Sequence, residues 1–164
     1  MEAIVRPSGL LIWRGQPLRA ALGKAGVNPH KEEGDSATPS GSLALRRVLY
    51  RADRVPPPKC AVMVEPLAAT DGWCDDPDHR DYNRQVRLPH DGRHEELWRR
   101  DDVYDVIGVL GWNDSPVAKG RGSAIFLHVA RRNYEPTEGC VALALPDLTR
   151  ILAEGLTSLR VLES

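Results

Sequence analysis

"SAIFLHVARRNYEPTEGCVAL", residues 123–143, decides how this chain is read. An apolar run from Ala124 to Val129 carries one polar ring, His128, and a polar loop from Ala130 to Gly139 leads to a second apolar run, Val141 to Leu145, entered through Cys140. Runs this short between turn signals read as strands. If the two are antiparallel neighbours, the loop returns the chain so that His128 and Cys140 sit across the strand pair. A thiol attacks a carbonyl only as thiolate, and a free cysteine, with a pKa near 8.5, needs a base or a cation beside it. Gly139 permits positive φ and close approach of a substrate, which would let nearby N–H groups point at a developing oxyanion. The plainer alternative makes Cys140 a buried small hydrophobe and His128 a satisfied core histidine.

Similar runs recur outward from this segment, at Leu10 to Trp13, Leu18 to Leu22, Ser42 to Tyr50, Val103 to Trp112 and Leu159 to Leu162. Many brief strands and few helices predict a mainly β fold. Arg14-Gly15 reads as a hairpin turn, and the alternation Leu43, Leu45, Arg47, Leu49 as a strand with one buried face. One helix is predicted after Pro146, which suits a first helical position, with Asp147 at the positive end of the dipole and Gly155 as C-cap. Leu148, Ile151 and Leu152 would share its inner face. The stretch from Arg54 to Arg100 has Pro56-Pro57-Pro58, Gly72, Pro77, Pro89 and Gly92 and no sustained period. It reads as long crossing loops with a short helix at Glu95 to Arg99, and segments of that length usually wall or cover a site.

A chain of 164 residues can bury roughly 68% of its unfolded surface, so one domain over residues 1–164 is expected. With 41% hydrophobic and 27% charged residues, the composition is that of an ordinary folded protein and not of a disordered one. The 22 basic and 23 acidic residues are scattered, so no basic stripe is offered to phosphates and nucleic acid is not an expected partner. The opening residues have neither a basic n-region nor a useful apolar h-region, and no run of about 18 apolar residues occurs. The expectation is a cytoplasmic protein with no membrane partner. Three cysteines, Cys60, Cys74 and Cys140, argue against a disulfide framework.

The segment His128, then Thr137-Glu138-Gly139-Cys140-Val141, resembles the signature of the L,D-transpeptidase (YkuD-type) catalytic domain, in which a histidine precedes Ser/Thr-x-Gly-Cys and an apolar residue. A second family feature, a Thr-Pro-x-Gly turn, appears as Thr38-Pro39-Ser40-Gly41, about a hundred residues upstream. The resemblance spans roughly Lys31 to Leu152, and a small subgroup shares "GWCDDPDHRDYN" and "GSAIFLH". It implies a β-sandwich or barrel-like fold with one or two short helices and long loops. It also implies Cys140 as nucleophile, His128 as its partner and an oxyanion site at the Gly139 and Cys140 amides. The implied substrate is a peptidoglycan tetrapeptide or muropeptide, attacked at the L,D bond before its terminal D-alanine, and the implied covalent inhibitor is a carbapenem. Water as acceptor gives L,D-carboxypeptidase action, the preferred expectation for a chain without an export signal; an amine gives a cross-link. A catalytically silent module that holds wall fragments is the alternative of another class. The sequence departs from many relatives at Val129 for glycine, at Ala142 for arginine and at Glu138 for histidine. Arg131 or Arg132 could replace the missing arginine.

Papain-like and amidase folds place cysteine before histidine, and sortases separate the two much more widely. In "WCDDPDHRDYN", residues 73–83, Trp73 and Tyr82 offer flat walls and Asn83 a donor and an acceptor, so these three and Thr137 are the further candidates for substrate contact. Cys74 with His79 lacks the paired spacing of a structural zinc site, so no metal is expected. Gly120-x-Gly122 alone is no phosphate loop, and no cofactor is implied. Lys31 and Asp35 could position a substrate or form a turn salt bridge, and His90 and His94 read as exposed loop residues.

Overall fold

The computed structural model describes residues 1–164. In chain order the strands are β1 (Glu2–Arg6), β2 (Leu10–Trp13), β3 (Gln16–Arg19), β4 (Val27–Asn28), β5 (Thr38–Pro39), β6 (Gly41–Tyr50) and β7 (Val64–Pro66). They continue with β8 (Asp71–Cys74), β9 (Gln85–Arg87), β10 (His94–Glu96), β11 (Val106–Leu110), β12 (Phe126–Val129), β13 (Val141–Leu143) and β14 (Ser158–Val161). The helix α1 (Leu145–Ala153) joins the last two. No helix is long and apolar enough to cross a membrane.

The main sheet runs β13-β12-β11-β6-β14-β1-β2-β3, with β7 added along β6. The chain just past β3 then meets the opposite edge: Ala21 and Ala142 exchange both backbone hydrogen bonds, at 2.8 and 2.9 Å. Thr137 donates to the Leu22 carbonyl at 2.9 Å in the same seam. The sheet is thereby nearly closed into a barrel, which leaves few unpaired strand edges. β6 is long enough to pair with β14 through Gly41 to Ala44 and with β11 through Leu45 to Tyr50.

Side-chain alternation sorts the strands into two cores. Val5, Leu11, Leu43, Leu45, Leu127, Val141, Leu143 and Leu159 fill the barrel, where Leu148, Ile151 and Leu152 of α1 join them. Ile107, Val109 and Phe126 face outward, and so does Leu49: a bulge between Leu45 and Arg47 breaks the expected alternation that would have put Leu49 on one face with Leu43 and Leu45. A second cluster covers them, containing Trp73, Leu97 and Tyr104 from the central segment and Cys140. Strands β11, β12 and β13 are buried on both faces for this reason. Gly108 of β11 has no room for a side chain, since a Cβ there would lie 2.9 Å from Leu45 Cδ1.

The structure departs from the expected layout in four further places. β12 and β13 are parallel, with His128 opposite Ala142, so the intervening loop is a crossover and not a hairpin. The central segment contains a three-stranded sheet, β10-β8-β9, and residues 95–99 form no helix because His94–Glu96 pair with Gly72–Cys74. The predicted run Val103 to Trp112 keeps strand form only at Val106–Leu110, and β1 was not predicted. The run from Ala124 starts as a strand only at Phe126, because Ala124 has a φ of 54°. The Pro146 helix, its buried Leu148, Ile151 and Leu152 and the positive φ of Gly155 agree with expectation.

Leu148 is fully buried in the barrel core, so Leu148→Ala should cost about 2–5 kcal/mol of stability. Urea unfolding measures this, and a loss under about 1 kcal/mol would mean that α1 is not part of the core.

Candidate active site

The parallel register builds the site. Cys140 stands just ahead of β13, beside Phe126, and its sulfur takes the Phe126 N–H at 3.3 Å. His128 lies two residues along β12 from Phe126, and alternation puts its ring on the same outward face as Cys140 and Ala142. Both side chains line one polar cavity of about 550 Å³. Cys140 is 8% exposed and His128 7%, so each touches solvent only through that cavity.

The backbone around Cys140 is pinned by the two threonine-containing turns. Thr137 Oγ1 donates to the Cys140 carbonyl at 2.7 Å and Thr38 Oγ1 donates to it at 3.4 Å. Thr38 also accepts the Gly23 N–H at 2.9 Å, tying the upstream turn to the barrel seam. Gly139 has a φ of 141°, and a Cβ there would lie 2.8 Å from the Ala37 carbonyl oxygen, so glycine is required on two counts. Its N–H donates to Thr137 Oγ1 at 3.1 Å. Of the two amides expected to face an oxyanion, the one without a protein partner is that of Cys140.

The electrostatics are those of a resting neutral pair. Burial pushes the Cys140 thiol up to about 12; the Glu95 carboxylate adds to this, while the Phe126 N–H and the Lys31 charge oppose it and Glu138 raises it further. Burial lowers His128 to about 4, partly offset by its hydrogen bond to the Val129 carbonyl. That bond, 3.0 Å from Nδ1, can only be donated by the ring, so Nδ1 carries the hydrogen and Nε2 keeps its lone pair. No hydrogen bond joins His128 to Cys140; the thiol donates to the Ala124 carbonyl at 3.2 Å instead. Such an arrangement suits proton transfer during attack on a bound carbonyl, with the imidazole as general base, better than a preformed thiolate.

Three charged groups at the cavity were not singled out as its walls by their sequence patterns. Glu95, carried by β10, receives the Tyr104 hydroxyl and is raised to about 7, first by burial. Tyr104 stands edge-on to both His128 and Phe126, with ring centroids at 5.4 and 5.7 Å. Arg99 makes two hydrogen bonds to Asp101, at 2.8 and 2.7 Å, and lines the cavity. Lys31, 4% exposed, pairs with Asp35, and its Nζ is 3.5 Å from where a Gly139 Cβ would stand. Its charge acts on the Cys140 thiol, where Ala142 offers none. Of the two expected substitutes, Arg131 lines the cavity and Arg132 does not.

Trp73, Tyr82 and Asn83 do not line this cavity. They support the fold around it. Asn83 Oδ1 accepts from Trp73 Nε1 at 3.0 Å and from the Ala124 N–H at 3.1 Å, and its Nδ2 donates to the Trp112 and Asn113 carbonyls. Tyr82 donates to Glu33 at 2.7 Å and accepts the Gly122 N–H at 3.0 Å. Trp73 packs edge-on against Phe126, with centroids at 5.0 Å. Thr137 lines the cavity, but its hydroxyl is spent on the backbone of Gly139 and Cys140.

The family model for the YkuD L,D-transpeptidase catalytic domain matches residues 4–157. The chain belongs to that family. A search of the curated proteins found no match. Membership makes this L,D-transpeptidase-type domain one for cysteine-dependent acyl transfer on peptidoglycan stem peptides, and the mainly β, nearly closed barrel is the fold expected of it.

Two outcomes follow for Glu95. Its carboxyl titrates at about 7 in the folded protein against 4.5 otherwise, so the unfolded chain loses this proton first and stability falls as pH rises between those values. The cost above pH 7 is at most roughly 3 kcal/mol. Glu95→Gln should therefore stabilise the protein at pH 8 and not at pH 4, as read by thermal unfolding at each pH. The same variant removes a charge that opposes thiolate formation, so iodoacetamide should alkylate Cys140 several-fold faster at pH 8 than in wild type. An unchanged alkylation rate would separate Glu95 from the nucleophile's ionisation.

Proposed function

We propose that residues 1–164 act as one catalytic domain with L,D-carboxypeptidase activity, cleaving the terminal D-alanine from peptidoglycan tetrapeptides. The observation that carries this reading is that one thiol and one imidazole with a free Nε2 open onto a single cavity of about 550 Å³. That volume falls in the range of sites for one small ligand. It suits the end of one stem peptide with water as acceptor better than two stems at once.

In this mechanism Cys140 Sγ attacks the carbonyl on the L-centre of the third residue while His128 Nε2 takes the thiol proton. The oxyanion receives the Cys140 N–H, with Lys31 contributing positive charge nearby. Collapse expels the D-alanine amine, which takes the proton back from His128, and leaves a thioester. Water, deprotonated by His128, then releases the tripeptide and restores the thiol. Arg131, at the cavity wall, is the group for the D-alanine carboxylate. Transpeptidation differs only in that an amine replaces the water.

Incubation with a tetrapeptide, followed by mass spectrometry, should show D-alanine release by the wild type and none by Cys140→Ala. His128→Ala should lose about 10²-fold or more, the usual contribution of a general base. The acid limb of kcat/KM should fall near pH 4, the value of buried His128. Dimer formation with an added acceptor would replace hydrolysis by cross-linking. The absence of both turnover and a carbapenem mass adduct would leave a silent fragment-binding module.

A further inference from the structure

The β10-β8-β9 sheet gathers a second set of reactive side chains away from the cavity. Cys74 ends β8, His79 lies in the turn after it, and His90 lies between β9 and β10. β8 is antiparallel to both neighbours, so the connection after β8 leaves beside Cys74, while the connection from β9 leaves opposite Asp71 and crosses back to enter β10 at His94, beside Cys74. The ligand atoms of these three residues lie within 4.8 Å of one another, with Cys74 buried and the two histidines half-buried. The turns concerned, "DDPDHRD" and "PHDGR", supply almost no apolar side chains, so hydrophobic packing does not explain why they are held together.

We infer that Cys74, His79 and His90 form a zinc site, with solvent as the fourth ligand. The Asp81 carboxylate, whose Oδ2 is 3.2 Å from His90 Nε2 and 3.8 Å from His79 Nδ1, stands beside the two histidines and offers the ion a counter-charge. His79 Nδ1 accepts the Asp81 N–H at 3.0 Å, so it is unprotonated, and an ion would take over the lone pair that this N–H now occupies. The opposite nitrogen, Nε2, meets Asp91 Oδ1 at 2.8 Å, the arrangement of a metal-bound histidine oriented by an outer carboxylate. His90 Nδ1 lies between the Gly92 N–H, at 3.2 Å, and the Gly92 carbonyl, at 3.4 Å. The carbonyl becomes its partner once Nε2 binds an ion.

A thiolate with two imidazoles and a water is a donor set for zinc. Binding displaces the Cys74 thiol proton to solvent. Spacing in the sequence concealed the set, because Cys74 and His79 are joined by a residue from another turn. The ion would staple the small sheet whose Trp73 packs on Phe126 and whose Glu95 walls the cavity. Its role is positioning, and it does not depend on the choice of acceptor.

The full chain, freed of metal by chelator, is titrated with zinc and separately with cobalt(II). One equivalent of zinc should survive gel filtration and raise the Tm, and the cobalt form should show a thiolate-to-metal charge-transfer band. The band should disappear in Cys74→Ser and persist in Cys140→Ser and Cys60→Ser, and His90→Ala should lose the bound equivalent. Wild-type protein that retains no equivalent, or a band that survives Cys74→Ser, overturns the proposal.

Discussion

The parallel pairing of β12 with β13 is the constraint on which the site depends. In that register Leu127, Val129, Val141 and Leu143 all point into the barrel, where burial of apolar surface holds the two strands together. The same alternation leaves Phe126, His128, Cys140 and Ala142 on the outer face. Cys140 and His128 are thus placed by what their neighbours do inside the barrel. A slip of one residue would exchange the faces, moving an imidazole into the hydrocarbon core and leucines into the cavity.

The crossover that makes the pair parallel also explains the shape of the turn before the sulfur as a physical requirement. The chain arrives at Cys140 from the barrel seam, where Thr137 is bonded to Leu22, and must turn beside Ala37 with no space for a side chain. Gly139 meets both conditions. Thr38 and Thr137 then converge on the Cys140 carbonyl, so that carbonyl is fully engaged while the N–H of the same residue stays unpaired. The two threonine turns, far apart in the chain, serve the same peptide group.

Much of this was legible in the residues. The short apolar runs and the Pro146 helix announced a mainly β chain, because alternation and capping are local signals. His128, Gly139 and Cys140 stood out by residue type and spacing. Strand direction was not legible: a ten-residue polar loop can return as a hairpin or cross over, and only closure through Ala21 and Ala142 selects the crossover. The β10-β8-β9 sheet escaped because its strands carry Glu95, Glu96, Gln85 and Arg87, which give no apolar alternation. Trp73, Tyr82 and Asn83 were read as cavity walls because aromatic and amide groups in a polar loop look alike whether they meet a ligand or one another. Their mutual hydrogen bonds exist only in three dimensions. Lys31 was noticed as a possible substrate or turn residue, but nothing in its sequence spacing placed it against Gly139.

Burial sets the chemistry of the site as firmly as it sets the fold. Cys140 and His128 are enclosed by the second core, and enclosure disfavours the charged form of each, the thiol going up and the imidazole down. A free thiolate beside an imidazolium is therefore not the resting state of this cavity. Ionisation becomes favourable only as charge passes onto a substrate carbonyl that the Cys140 amide can receive. Lys31 favours that passage and Glu95 opposes it, both from the lining of the same cavity. An exposed thiol would ionise more readily but would also react with any electrophile in solution; here reactivity is reserved for a ligand that fills the cavity and brings the acceptor of the charge with it.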